Sequence, residues 1–176
     1  TFEDQQLDVI LTGSDPNGDA LEFTIVSSPA NGTLLGDTPN IMYIPNTDFN
    51  GTDSFGFTVT DGEWVSGTGV VTINVLSIND APVLEFIETQ TINEDNVFIY
   101  SIIATDVDGD NITYSLEGDQ TEYITDNGGN VSISGSFVTY NPFDHYNGVD
   151  SFEFIVSDGE YIDQATVNLT INAVND

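Results

Sequence analysis

The 176-residue chain contains no lysine and no arginine, against 30 aspartates and glutamates and a single histidine, for a formal charge of −30. Nothing in it can neutralise phosphates, so nucleic acid is excluded as a partner and anionic membrane surfaces are disfavoured. Any cation that offsets this charge has to come from outside the chain. Cysteine is also absent, which removes disulfides and thiolate sites and leaves the redox compartment unread; were the domain secreted, it would need another staple such as a divalent metal. No apolar run is long enough for a signal peptide or a membrane span, and the chain starts in mid-pattern, as expected of a piece of something longer. No segment carries ten residues of helical period.

What the chain does have is alternation. Its 39% hydrophobic and 11% aromatic content is normal for a chain that buries a core. High net charge with low hydrophobicity usually signals disorder, yet here the apolar residues fall at every second position, which predicts half-buried strands. Leu7/Val9/Leu11, Leu21/Phe23/Ile25, Phe55/Phe57/Val59 and Val71/Ile73/Val75 form four such stripes. Phe98/Tyr100/Ile102, Ile112/Tyr114/Leu116, Phe152/Phe154/Val156 and Val167/Leu169/Ile171 form four more. Asn-Gly and Asp-Gly pairs punctuate them as hairpin turns do.

The two sets of stripes are an internal repeat. Glu3-Asp4 recurs as Glu94-Asp95, and Asp15-Pro16-Asn17-Gly18-Asp19 as Asp106-Val107-Asp108-Gly109-Asp110, both at an offset of 91. Phe49-Asn50-Gly51 with Asp53-Ser54-Phe55 then recurs as Tyr146-Asn147-Gly148 with Asp150-Ser151-Phe152, at an offset of 97, as does Asp61-Gly62-Glu63 at Asp158-Gly159-Glu160. The second copy therefore carries an insertion within 117–136. The expected architecture is all-β, two tandem Greek-key β-sandwich domains of about seven strands each, arranged end to end. The boundaries are 1–80 and 81–176, with Val83–Ile92 as an opening strand that the first copy lacks. Between the copies stands Ser77-Ile78-Asn79-Asp80-Ala81-Pro82, and the chain closes on Ala173-Val174-Asn175-Asp176.

Ala104-Thr105-Asp106-Val107-Asp108 resembles the cadherin calcium motif A-x-D-x-D, and the 77–82 stretch resembles the cadherin linker D-x-N-D-N-A-P. Both copies are similar to the bacterial cadherin-like (Ig-like β-sandwich) tandem repeats of large secreted calcium-dependent adhesins. The resemblance implies Ca²⁺ at the junction, with Asn79, Asp80, Glu94, Asp106, Asp108 and Asp158 converging on one site. It implies Asp48 or Asp53 as a contribution from the opposite pole of the first copy. At the equivalent top of the first copy, Asp15, Asn17 and Asp61, with Glu3 and Asp4, would form a half-site that lacks its linker. The first linker Asp is replaced by Ser77, the second linker Asn is missing and the L-D-R-E motif is absent, which points to one or two ions rather than three.

The ligand chemistry agrees, because Ca²⁺ takes 6–8 hard oxygens. Asp106, Asp108 and Asp110 alternate in a Gly-containing loop, although Asp19 and Asp110 also read as solvent-facing turn residues. An EF-hand is excluded, since Asn111 stands where its sixth-position Gly is required and the flanks are strands. The acids that make these motifs also make turns, which is the plainer reading of any one of them.

Catalysis finds no support. His145 aligns with Asp48 and decorates a corner, and there is neither a Schiff-base lysine nor a phosphate loop. The expected function is that of non-enzymatic calcium-binding extender repeats of a bacterial cell-surface or secreted adhesin. Their partners would be neighbouring repeats, with calcium stiffening each junction. The alternative is a carbohydrate-binding or homophilic interaction module, engaging a glycan or another adhesin surface through Trp64, Tyr161 or an exposed strand edge, with an accessory role to a secreted polysaccharide-degrading enzyme as one form of it.

Overall fold

A computed structural model describes residues 1–175. The chain divides into two compact units, Thr1–Ile78 and a second that begins at Asn79, two residues before the expected boundary. No helix occurs among the described residues.

The first unit has six strands: β1 Leu7–Ile10, β2 Glu22–Ser27, β3 Gly32–Asp37, β4 Asn40–Pro45, β5 Gly51–Thr60 and β6 Gly69–Val75. They form two antiparallel three-stranded sheets, ordered β1-β4-β3 and β2-β5-β6. Alternate residues of each strand point inward, so Leu11, Ile41, Tyr43, Phe55, Ile73 and Val75 meet in one core, with Leu7, Val9, Phe23 and Phe49 packed against it.

The second unit repeats this plan with additions: β7 Val83–Leu84, β8 Gln90–Asn93, β9 Phe98–Ser101, β10 Ala104–Thr105, β11 Thr113–Leu116, β12 Glu122–Ile124, β13 Asn130–Ser134, β14 Phe137–Asn141, β15 Gly148–Ser157 and β16 Ile162–Asn172. One sheet runs β12-β13-β14-β9 and the other β11-β15-β16-β8, with β7 paired to β10 alone. Twelve buried apolar side chains form its core, among them Leu116, Tyr140, Phe152 and Phe154.

The expected single opening strand over Val83–Ile92 is instead two short strands. β7 pairs antiparallel with β10, whereas β8 pairs parallel with β16. Between them Phe86 points into solvent, 87% exposed. The chain changes sheets there, so no single alternation can span the segment. In the first unit the counterpart of β8 is reduced to one parallel bridge, Phe2 to Leu76.

Both corners expected from the Pro-aromatic-Asn-Gly pattern are present. Phe49 and Tyr146 pack on their cores, and Asp48 and His145 take left-handed backbone at φ 56° and 57°.

Candidate metal centre

The second unit gathers its acids at one pole by strand register. Thr113 pairs with Ser157, which sets the 106–112 loop beside Asp158. Thr105 pairs with Val83, which sets Asn79–Pro82 beside Asp106. Asn79 Nδ2 donates to Asp158 Oδ2 at 2.9 Å, and the Asp80 amide donates to Asp108 Oδ2 at 2.8 Å. Leu84 N–H is held by Asp163 Oδ2 at 2.9 Å, so the start of the unit is tied to β16 as well.

Within the loop, Asp106 Oδ1 accepts from the amides of Asp108 at 3.0 Å and Asp110 at 3.2 Å, while Gly109 turns the chain at φ 80°. That curl brings carboxylate oxygens of Asp106, Asp108 and Asp110 within 4.8 Å of one another. Asp110 thus joins the group, although the sequence pattern marked it as a turn residue. Asp106 Oδ2 is buried and has no hydrogen-bond partner. An ionised oxygen so placed is costly unless a cation meets it. Oxygen-only donors, carboxylate charge and a curled loop fit Ca²⁺.

Asp158 belongs to the same pole. The Tyr161 amide, aided by that of Glu160 and by the Asn79 side chain, holds its carboxyl below the usual range.

Glu94 lies elsewhere. It follows β8, which runs alongside the end of β16, and its amide donates to Asn172 O at 2.9 Å. Asp158 precedes the start of β16, and ten residue steps of about 3.3 Å put the two ends roughly 33 Å apart. Glu94 therefore cannot converge with Asp158. Its buried carboxylate instead accepts the Val174 amide at 2.6 Å, pinning the strand that leaves the unit.

Glu3 does the same for the Ile78 amide in the first unit. Beside it Asp4 Oδ1 accepts the Asp48 amide at 3.3 Å, so Asp48 sits at that exit pole. Asp15, Asn17 and Asp61 occupy the other pole, because Glu22 pairs with Thr60. The half-site expected from all five residues is thus divided between two ends.

Asp15 Oδ1 accepts from the amides of Asn17 at 2.7 Å and Asp19 at 3.1 Å, copying the Asp106 curl. Asn17 replaces the carboxylate of Asp108, and among the described residues no triad of close acid or histidine ligands forms there. Amides of Trp64 and Glu63 lower the carboxyl of Asp61.

Asp53 is no metal ligand. It is 5% exposed, its Oδ1 accepts from the amides of Ala30 and Ser54, and its Oδ2 from the amide of Asn31 and the hydroxyl of Tyr43. Four donors fill the four lone-pair positions of the carboxylate. Asp150 is saturated likewise by Thr125, Asn127, Tyr140 and Ser151.

Two β-sandwich repeats, each with acid-lined poles, define the class of protein. The bacterial Ig domain family matches residues 1–74 and 79–170, and the chain belongs to that family. Among solved structures, human protocadherin-24 EC1-2 is 20% identical, with 95% of this chain and 87% of that one covered at a TM-score of 0.55. Another crystal structure of the same fragment gives 17% identity, 99% and 90% coverage and a TM-score of 0.50. An endo-fucoidan hydrolase of glycoside hydrolase family 107 is 22% identical at a TM-score of 0.41, and this chain spans about a quarter of its length (90% of this chain, 24% of that one). At these identities the likeness is one of fold. No curated protein matches.

Proposed function

We propose that these repeats are non-catalytic, calcium-binding extender modules of a bacterial cell-surface or secreted adhesin. The observation that carries the reading is Asp106 Oδ2, buried and unpartnered beside Asp108 and Asp110 in a chain with no lysine or arginine. Asp106, Asp108 and Asp110 would hold Ca²⁺, with Asp158 and the side-chain oxygen of Asn79 in reach of the same pole. Asp80, whose amide is already bonded to Asp108, would draw the linker onto that pole.

A bound ion would offset the local carboxylate charge and remove freedom from the segment that leads into the second repeat. Extracellular calcium modules work at about 10⁻⁴–10⁻³ M, so such a segment would loosen in the cytosol and stiffen outside the cell. Calorimetric titration of calcium should give saturable binding in the wild type and at least a tenfold loss in Asp106→Asn. Unchanged binding in the variant would refute the site.

A second reading, as a glycan-binding module, rests on Trp64, which is 73% exposed on the β5–β6 hairpin and aligned with Tyr161. Trp64→Ala should abolish binding on a glycan array if that face is used.

A further inference from the structure

The two repeats differ at one sheet edge, and the difference leaves a strand-shaped gap. In the second unit β13 is covered by β12, with Tyr123 opposite Val131 and Ile124 opposite Asn130, and the Ile133 amide donates to Thr121 O at 2.8 Å. Tyr123 packs inward on the core. In the first unit the equivalent of β13 is β3: Leu34 matches Val131 and Gly36 matches Ile133 at the offset of 97. Among the described residues β3 pairs with β4 alone.

No counterpart of β12 exists, because the six additional residues of the second repeat fall in its region. The outward amides of Leu34 and Gly36 therefore lack the neighbour that Val131 and Ile133 have. Beside them lies an open groove of about 450 Å³, lined in part by Ile25, Pro29, Thr33, Leu34, Thr38 and Ile41. It falls in the size range of ligand pockets, about 300–1,000 Å³. The edge is lightly protected: its only charge is Asp37 at the end of the strand, Gly32 to Gly36 contain neither charge nor proline, and Leu35 is 47% exposed.

We infer that the free edge of β3 receives an extended, cationic segment of another polypeptide as an added strand, an aromatic or aliphatic side chain entering the groove where β12 supplies Tyr123 in the other repeat. Main-chain pairing would supply affinity and the groove selectivity. The positive charge follows from electrostatics. β12 carries Glu122 but is tethered in place, whereas a separate segment approaches a chain of −30, with Asp37 at the end of β3 itself, Asp8 on β1 of the same sheet and no lysine or arginine in the chain. The same repulsion disfavours a second copy as the occupant.

The test uses the full chain and the synthetic peptide Lys-Thr-Lys-Tyr-Ile-Thr-Lys, with its glutamate counterpart and a version carrying proline in place of the tyrosine. Hydrogen exchange should show the Leu34 and Gly36 amides unprotected alone and slowed at least tenfold by the lysine peptide. Val131 and Ile133 should be unaffected, and chelating calcium should change nothing, which separates this surface from the metal site. Leu35→Lys, at an exposed position, should keep its melting temperature and weaken the peptide at least tenfold. The inference is overturned by absent protection, by equal binding of the glutamate or proline peptide, or by β3 protection that instead rises with protein concentration as a dimer sediments.

Discussion

At the scale of single residues, the strongest polar device is a buried aspartate set against a buried tyrosine, built once in each repeat. Burial alone would raise the carboxyl of Asp53, but the amides of Ala30, Asn31 and Ser54 and the Tyr43 hydroxyl outweigh it and hold the group below its usual value. Burial, followed by the Asp53 contact, pushes the phenol of Tyr43 up to about 12. A carboxyl depressed on folding stabilises the fold above its unfolded pKa of about 3.9, and that contribution disappears as pH falls through the lower folded value. Asp53→Ala, which strands several buried donors, should cost about 2–3 kcal/mol at pH 7. Urea unfolding of wild type and variant checks this, and the gap between them should narrow below about pH 4.

Elements are held in register by glycines that meet these same tyrosines. A Cβ on Gly32 would stand 2.3 Å from Tyr43 Cε2 and 2.7 Å from the Ile44 carbonyl, and one on Gly129 would stand 2.4 Å from Tyr140 Cε2. Neither ring can retreat, since each phenol is bonded to its aspartate. Gly32→Ala should therefore destabilise the first repeat by about 1–3 kcal/mol. Gly67→Ala, with nothing within 4 Å, should stay near neutral in the same denaturation experiment.

The strands with clean alternation, such as β5, β6 and β15, were legible in the sequence because one face of each is core. β3, β4, β12, β13 and β14 escape that reading because each sends only one or two residues into a core (Leu34; Ile41 and Tyr43; Tyr123; Val131 and Ile133; Val138 and Tyr140), too few to make a stripe. The change of offset from 91 to 97 did locate the segment that holds β12. At the candidate site, alternating acids identified the Asp106 loop. Motif matching could not say which end of β16 Glu94 would reach, nor that four donors already occupy Asp53, because both facts depend on register.

For the whole molecule, charge sets the terms. With −30 and no lysine or arginine, monovalent salt should stabilise both repeats by screening, over a Debye length of about 10 Å at 0.1 M. A bound calcium ion acts differently, because it stabilises only the unit that holds it, by about 2.7 kcal/mol at a hundred times the dissociation constant. The Asp106 loop has three close carboxylates and a buried orphan oxygen, whereas the Asp15 loop has Asn17 in place of one acid. The first repeat also has the smaller core, six buried apolar side chains against twelve. Calorimetry without calcium should therefore resolve two transitions, the lower belonging to Thr1–Ile78. Sodium chloride should raise both, and millimolar calcium at fixed ionic strength should raise the upper one by several degrees while leaving the lower one in place. Asp106→Asn should abolish the calcium shift and keep the salt shift. Equal displacement of both transitions by calcium would mean that the ion only screens, and the metal centre at Asp106 would have to be abandoned.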